Sequence, residues 1–211
     1  MNAHEFFLKF LDEVRESTII TNEMLPNYPA MWGKKDFLSI YKSQESVYTE
    51  LINKYVIHKI IKEAGMKPQH EYFRIDTVGW VSQYERMSEE AKELDLNAHL
   101  WDLKIAVEHE NSVKDWTDEI IKLIHIKCPL KVVIGYNYCK ERGFTDQKKL
   151  DFIARWMQEV NALQKGTTEE YLVIFGNCYN PRLKADYDVF DYRGYLYNQL
   201  THRFDKIQYK S

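Results

Sequence analysis

The sequence predicts an α/β fold, a mixed β-sheet with helices on both faces. Three observations predict it. The chain has 211 residues, 45% of them hydrophobic and 14% aromatic. A chain of that size buries roughly 70% of its unfolded surface without a disulfide or metal staple. Its second half alternates segments of helical periodicity with short apolar runs. Those runs, Leu130–Tyr136 and Tyr171–Gly176, read as strands buried on both sides, as strands of a sheet sandwiched between helices are.

Each element has its own justification. Residues 1–20 read as an amphipathic helix, because Phe6, Phe7, Phe10, Leu11 and Val14 recur at helical spacing. Pro26, Pro29 and Gly33 punctuate an irregular stretch over 22–42, pinned to the body by Tyr28 and Trp32. A long helix is predicted over about 43–63, with Val47, Tyr48, Leu51, Ile52, Tyr55 and Val56 as one apolar stripe. Gly65 ends it and Pro68 lies just beyond. Tyr72–Val81 is rich in aromatic and β-branched residues and reads as a strand. The charged stretch 86–95 reads as a short helical insertion between strands. In the next strand, Leu100–Glu110, Leu103, Ile105 and Val107 point one way, and Asp102, Lys104, Ala106, Glu108 and Glu110 the other.

Asp115–Lys127 is predicted as a helix anchored by Ile120, Ile121, Leu123 and Ile124, with Asn111 or Ser112 as its cap. Thr145 caps a helix running to about Leu163, which buries Leu150, Ile153, Trp156, Met157 and Val160; Gly166 closes it. The tyrosine-rich tail over 186–209 is predicted to add a helix near 192–203. The whole chain, 1–211, reads as one domain, with 1–42 an N-terminal helical extension and 43–176 the core.

Composition narrows the function. With 29 basic and 32 acidic residues the formal charge is -3, which excludes wholesale coating of nucleic acid but leaves room for a local basic cleft. Cys128, Cys139 and Cys178 form no Cys-x-x-Cys pair, so reduced thiols are expected rather than a zinc ribbon. Met1–Phe10 shows no apolar run behind a basic start, and no stretch has the length of a membrane span. A cytoplasmic protein with no membrane partner is expected.

The segment that calls for a chemical explanation is Ile105-Ala106-Val107-Glu108-His109-Glu110-Asn111. Glu108 and Glu110 at i and i+2 of a strand project from one face, about 7 Å apart. Two like charges side by side cost stability unless a cation lies between them. A hard divalent ion with oxygen ligands suits that position; an edge strand with a solvated face is the other reading. Asp76, in Arg74-Ile75-Asp76-Thr77-Val78, is a second anomaly, because aspartate is disfavoured inside strands. It too has an ordinary reading, as a strand-end residue bonded to its own backbone. Asp102 and Asp95 are its rivals as the acid that partners Glu108, but Asp102 shares the strand of Glu108.

These acids, with one on one strand, two on the next, then a helix and a buried strand, resemble the PD-(D/E)xK nuclease superfamily. The resemblance covers roughly residues 43–136 and reaches at most to 176. It implies a restriction-endonuclease-like mixed β-sheet core (αβββαβ) flanked by helices. Asp76, Glu108 and Glu110 match the motif's acids and its lysine position, so this chain is similar to the Glu-x-Glu variant. It departs in having Ile75 where the motif has proline, and in a long spacing between Asp76 and Glu108. The resemblance implies Mg²⁺-dependent hydrolysis of DNA phosphodiesters, with Mn²⁺ as a substitute metal. Asp76, Glu108 and the His109 carbonyl would hold the metal. Glu110 would orient the attacking water or hold a second ion. Lys122, or Lys104, would replace the missing lysine. Glu50 corresponds to an acid often found on the first core helix. A restriction-type enzyme that cuts both strands would be a homodimer. The alternative is a catalytically inactive nuclease-like fold acting as a DNA-binding or protein-interaction module.

The other features have simpler readings. His109 alternates with the glutamates and reads as a core histidine. Lys34, Lys35, Lys140, Arg142, Lys148 and Lys149 could contact phosphates, although charge runs are usually solvated surface. Tyr187, Tyr192, Tyr195 and Tyr197 could stack on bases, although packing on the sheet is the simpler expectation.

Overall fold

The computed structural model describes residues 1–14, 19–33, 40, 45–82, 84–96, 101–137, 145–160, 168–178 and 191–209. Among these residues seven strands form one sheet whose spatial order is the chain order. They are β1 (Lys67–Tyr72), β2 (Ile75–Val81), β3 (Asp102–His109), β4 (Leu130–Asn137), β5 (Glu170–Asn177), β6 (Arg193–Asn198) and β7 (Arg203–Lys206). β3, β4 and β5 run parallel; every other neighbouring pair is antiparallel. The predicted mixed sheet between helices is present.

β4 is buried along all eight of its residues, so it needs cover on both faces. On one face lie α1 (Ala3–Glu13) and α2, a continuous helix made of Glu45–Glu50, a π-helical stretch Leu51–Ile57, and His58–Glu63. Phe6, Phe7, Phe10, Tyr48 and Ile52 pack there with Ile105, Val107, Val132 and Ile134. On the other face lie α4 (Trp116–Ile124) and α5 (Asp146–Glu159). Trp116, Ile120, Leu123, Leu150 and Met157 pack there with Ala106, Val133 and Phe175. Val132 and Val133 thus go to opposite cores, as the period of two requires. The predicted insertion is α3 (Glu85–Glu93), between β2 and β3.

Several expectations are corrected. The first helix stops at Glu13, and residues 19–20 are not helical. Tyr72–Val81 is not one strand but the end of β1, a tight turn and β2. Tyr72 pairs with Ile75, and Glu71, Phe73 and Arg74 take φ values of 54°, 48° and 64°. No glycine or proline marks that reversal, which is why the sequence conceals it.

Leu103 does not share a face with Ile105. The register shifts between Gly79/Ile105 and Trp80/Leu103, and the additional β3 residue, Lys104, turns Leu103 toward the α4 side. The expected helix near 192–203 is instead the β6–β7 hairpin. β6 pairs along the free edge of β5, and Tyr195, Tyr197 and Phe204 enter the α4–α5 core, so tertiary pairing overrides local preference. The N-cap of α4 is Asp115, not Asn111 or Ser112; the Ser112 hydroxyl donates to Asp115 Oδ2 at 2.7 Å. Thr145 does cap α5, accepting from the Lys148 N–H at 3.3 Å.

One polar lock ties α5 to the sheet. Asp146, the first residue of α5, accepts from Arg193 Nε at 2.6 Å, Asn137 Nδ2 at 2.7 Å and the Tyr195 hydroxyl at 2.9 Å. Burial alone would raise its pKa, but these donors, Arg193 foremost, hold it below the ordinary carboxylate value. Asp146→Ala leaves the largely buried Arg193 guanidinium with the Asn177 side chain, the Asp191 carbonyl and, as its remaining described carboxylate, the more exposed Asp191. The expected loss is about 3 kcal/mol in urea denaturation, against a change within about 0.5 kcal/mol for a surface control such as Glu93→Ala.

Candidate functional site

The site forms where β2 and β3 part. Val78 faces Ala106 and Thr77 faces Val107, so Asp76 and Glu108 come next in line. There the two strands diverge. β2 continues beside β1, while β3 continues beside β4, with the Glu110 N–H on the Ile134 carbonyl at 2.9 Å. The carboxylates take over from the ladder. Glu108 Oε2 accepts from the Asp76 N–H at 3.2 Å, and Asp76 Oδ2 accepts from the His109 N–H at 2.9 Å.

The third member comes from α4. Lys122 Nζ lies 2.7 Å from Glu108 Oε1 and donates to the Arg74 carbonyl at 2.9 Å. It also pairs with Glu119, one turn earlier. The side chain of Glu108 is 2% exposed and that of Lys122 33%. Burial pushes the Glu108 pKa up to about 8; Lys122 pulls against this, while Glu119 and Asp76 add to it. Asp76 is also raised, chiefly by burial, against hydrogen bonds from the His109 N–H and the Asn53 side chain. Lys122 is held above its ordinary value because Glu108 and Glu119 outweigh its own desolvation. Glu108 and Glu119 thus share the Lys122 ammonium beside a third carboxylate, Asp76, and the excess of negative charge around the buried Glu108 favours taking up a proton or a further cation.

Asn53 and Glu119 are participants that the sequence reading missed. Asn53 sits on the π-helical stretch of α2 and is 1% exposed. Its side chain bonds Asp76, its backbone carbonyl accepts from the Thr77 hydroxyl at 3.4 Å, and its Oδ1 has no partner among the described residues. A π-turn inside an α-helix often marks a functional position, because it turns one residue out of the regular stripe. No sequence signal separates such an asparagine from a solvated one. Glu119 lies one turn before Lys122, but the sequence alone does not separate it from the other polar positions of that helix.

The remaining candidates are placed elsewhere. Glu110 follows β3 and its Oε1 accepts from the Ser112 N–H at 2.6 Å; no described contact joins it to Asp76 or Glu108. Glu50 accepts from the Tyr28 hydroxyl at 3.0 Å and pairs with Lys54, which fastens the N-terminal segment as expected of Tyr28. Asp102 accepts from the Tyr84 hydroxyl at 3.0 Å and pairs with Lys104 at 3.2 Å, at the opposite end of β3 from Glu108. Asp95 follows α3 with φ 58°. His109 is 5% exposed and 3.0 Å from the Tyr136 hydroxyl; burial pushes its pKa down to about 3, so it is a neutral core histidine. Cys128 is buried and its thiol is pushed up to about 12, which removes it as a nucleophile. Tyr192, Tyr195 and Tyr197 are packed on the sheet. Lys34, Lys35, Lys140, Arg142, Cys139 and Tyr187 lie outside the described residues, as does Gly166.

Among the described residues, no group of three or more His, Cys, Asp or Glu is arranged to hold a metal by itself, and no helix is long and apolar enough to cross a membrane. Comparison with protein-family models, curated proteins and solved structures finds no match to this chain.

The raised pKa of Glu108 has a definite sign. Its folded-state value of about 8 lies above the ordinary 4.5, so the folded protein keeps a proton that the unfolded chain releases. That contribution is complete below the ordinary value and is lost as pH rises through the folded one. His109 is shifted the other way and affects stability only below about pH 6.5. Between pH 6.5 and 8 the urea-denaturation free energy is therefore expected to fall by roughly 2 kcal/mol. Glu108→Gln, which cannot titrate, should flatten that slope.

Proposed function

We propose that this chain is a metal-dependent phosphodiesterase acting on DNA, with a restriction-endonuclease-like core. One observation carries the reading. Asp76 and Glu108 come from adjacent strands to the point where those strands diverge, and Lys122 reaches the same point from the next helix. The element order supports it once α3 is set aside as an insertion between β2 and β3: α2, then β1, β2 and β3, then α4 and β4, which is helix, three strands, helix, strand. The hairpin hidden in the sequence supplies the third strand.

The donor set suits Mg²⁺. That ion takes one or two carboxylates and keeps several waters, so Asp76 and Glu108 are enough protein ligands. The local excess of negative charge favours it further. Bound there, Mg²⁺ would lower the pKa of a coordinated water and offset charge on the phosphate oxygens. Asp76 and Glu108 would hold the ion, with Asn53 fixing the Asp76 carboxylate. The Lys122 ammonium, released from Glu108, would face the phosphate. Glu110 stands next along the chain, where a turn away from Ser112 would bring it toward the attacking water.

Because Glu108 holds its proton up to about pH 8, metal uptake must displace that proton. Mg²⁺ titration in weakly buffered solution near pH 7 should release close to one proton per ion, and Glu108→Gln should abolish the release. Supercoiled plasmid should be nicked with Mg²⁺ or Mn²⁺, with activity rising toward pH 8. Glu108→Gln should lower the rate by at least about a thousandfold, and Lys122→Met by about a hundredfold.

A second reading has its own support. The Asp76 and Glu108 oxygens already meet two backbone N–H groups, Asn53 and Lys122, so the cluster is stable as a structural element. In that case the chain is an inactive nuclease-like module that binds DNA or protein. A folded wild type that neither nicks plasmid nor releases protons with either metal would replace the enzymatic reading with this one.

A further inference from the structure

A cavity of about 450 Å³ opens between the start of α4 and the start of α5, and neither Asp76 nor Glu108 lines it. Its size is that of a small-molecule site. Lys114, Trp116 and Thr117 line it from one side, and Lys148, Lys149 and Phe152 from the other. Two kinds of surface meet there. Trp116, 1% exposed and edge-on to Phe175 with ring centres 4.8 Å apart, makes a rigid apolar floor. Phe152 is 58% exposed, a large ring left in water on the outer side of α5. Around them stand three lysines, and no described ion pair involves any of them. Lys149 Nζ is held at 3.2 Å from the Val113 carbonyl. Its half-buried ammonium is held below its ordinary pKa by burial, with Asp146 pulling it back up. A bound anion would offset the cost of that desolvation.

An apolar slot with an aromatic face that pairs with no ring among the described residues, and a rim of cations, fits a ligand with a flat apolar body and an attached anion. The cavity also follows the carboxyl end of β3, whose next helix, α4, carries Lys122.

We infer that this cavity binds one unpaired nucleotide of a single-stranded segment, with the base against Phe152 and the phosphate between Lys114 and Lys148–Lys149. The ligand's identity rests on the nucleic-acid reading above, but the site does not depend on hydrolysis. Stacking on an aromatic side chain tolerates any base, so base sequence should matter little.

The test is fluorescence anisotropy without divalent cations, so that no cleavage intervenes. The probes are a labelled oligothymidylate of about ten nucleotides and an abasic strand of equal length. Wild type should bind the oligothymidylate about tenfold more tightly than the abasic strand. Phe152→Ala, on an exposed side chain, should remove that preference. Lys148→Glu should weaken both probes alike and reduce the salt dependence. Equal binding of the two probes by wild type, binding of neither, or a preference that survives Phe152→Ala would overturn the inference. The outcome separates from that for catalysis. A base preference without plasmid nicking leaves the cavity standing and removes the enzyme, and nicking without a base preference does the reverse.

Discussion

The constraint on which the rest of the structure depends is the burial of β4 on both faces. Its eight residues leave no side for water, so the sheet must be a middle layer. Parallel strands cannot be joined by a tight turn. The β3–β4 connection therefore crosses over one face as α4, and that crossing puts Glu119 and Lys122 above the end of β3. The charge cluster is thus a consequence of how a parallel pair must be connected.

The strand divergence adds the second half of the site. The ladder between β2 and β3 ends at Thr77 and Val107, and beyond it the two strands part between Asp76 and Glu108. Backbone N–H groups freed by the opening need acceptors, and carboxylates supply them with charge-assisted bonds. The same bonds leave Glu108 nearly without solvent and beside two other acids. A carboxyl with its pKa near 8 is held as the neutral acid at neutral pH, and a further cation would shift it toward the anion. This is why the cluster reads both as a structural joint and as a cation site. Proton release on metal addition separates the two roles, because only a cation that displaces the proton produces it.

Much of this was legible beforehand, for identifiable reasons. Asp76 stood out because an acid among apolar neighbours in a strand is anomalous, and Glu108 because it and Glu110 place two like charges on one strand face. Both anomalies are local. Asn53 and Glu119 were not legible. Each lies on a helix whose polar positions all look alike until it is known which of them faces a strand end. Glu110 looked equivalent to Glu108 by alternation, but β3 ends at His109 and the chain turns after it, so the next carboxylate meets Ser112. The β6–β7 hairpin was hidden because its tyrosines suit a helix or a strand equally, and only the free edge of β5 decides between them.

The sequence by itself determined the layers. Period-two and helical patterns of apolar residues specify α1, α2, α4 and α5 and the buried strands β4 and β5, because burial of one face is a local property of side-chain spacing. It also determined the buried histidine and the cap of α5. Tertiary structure alone decided the register shift at Lys104, the turn at Phe73–Arg74, the final hairpin and the partners of each acid. Those depend on which backbone edges and charges meet across long stretches of chain. A carboxylate's role follows from the donors and cations placed around it, and only folding places them.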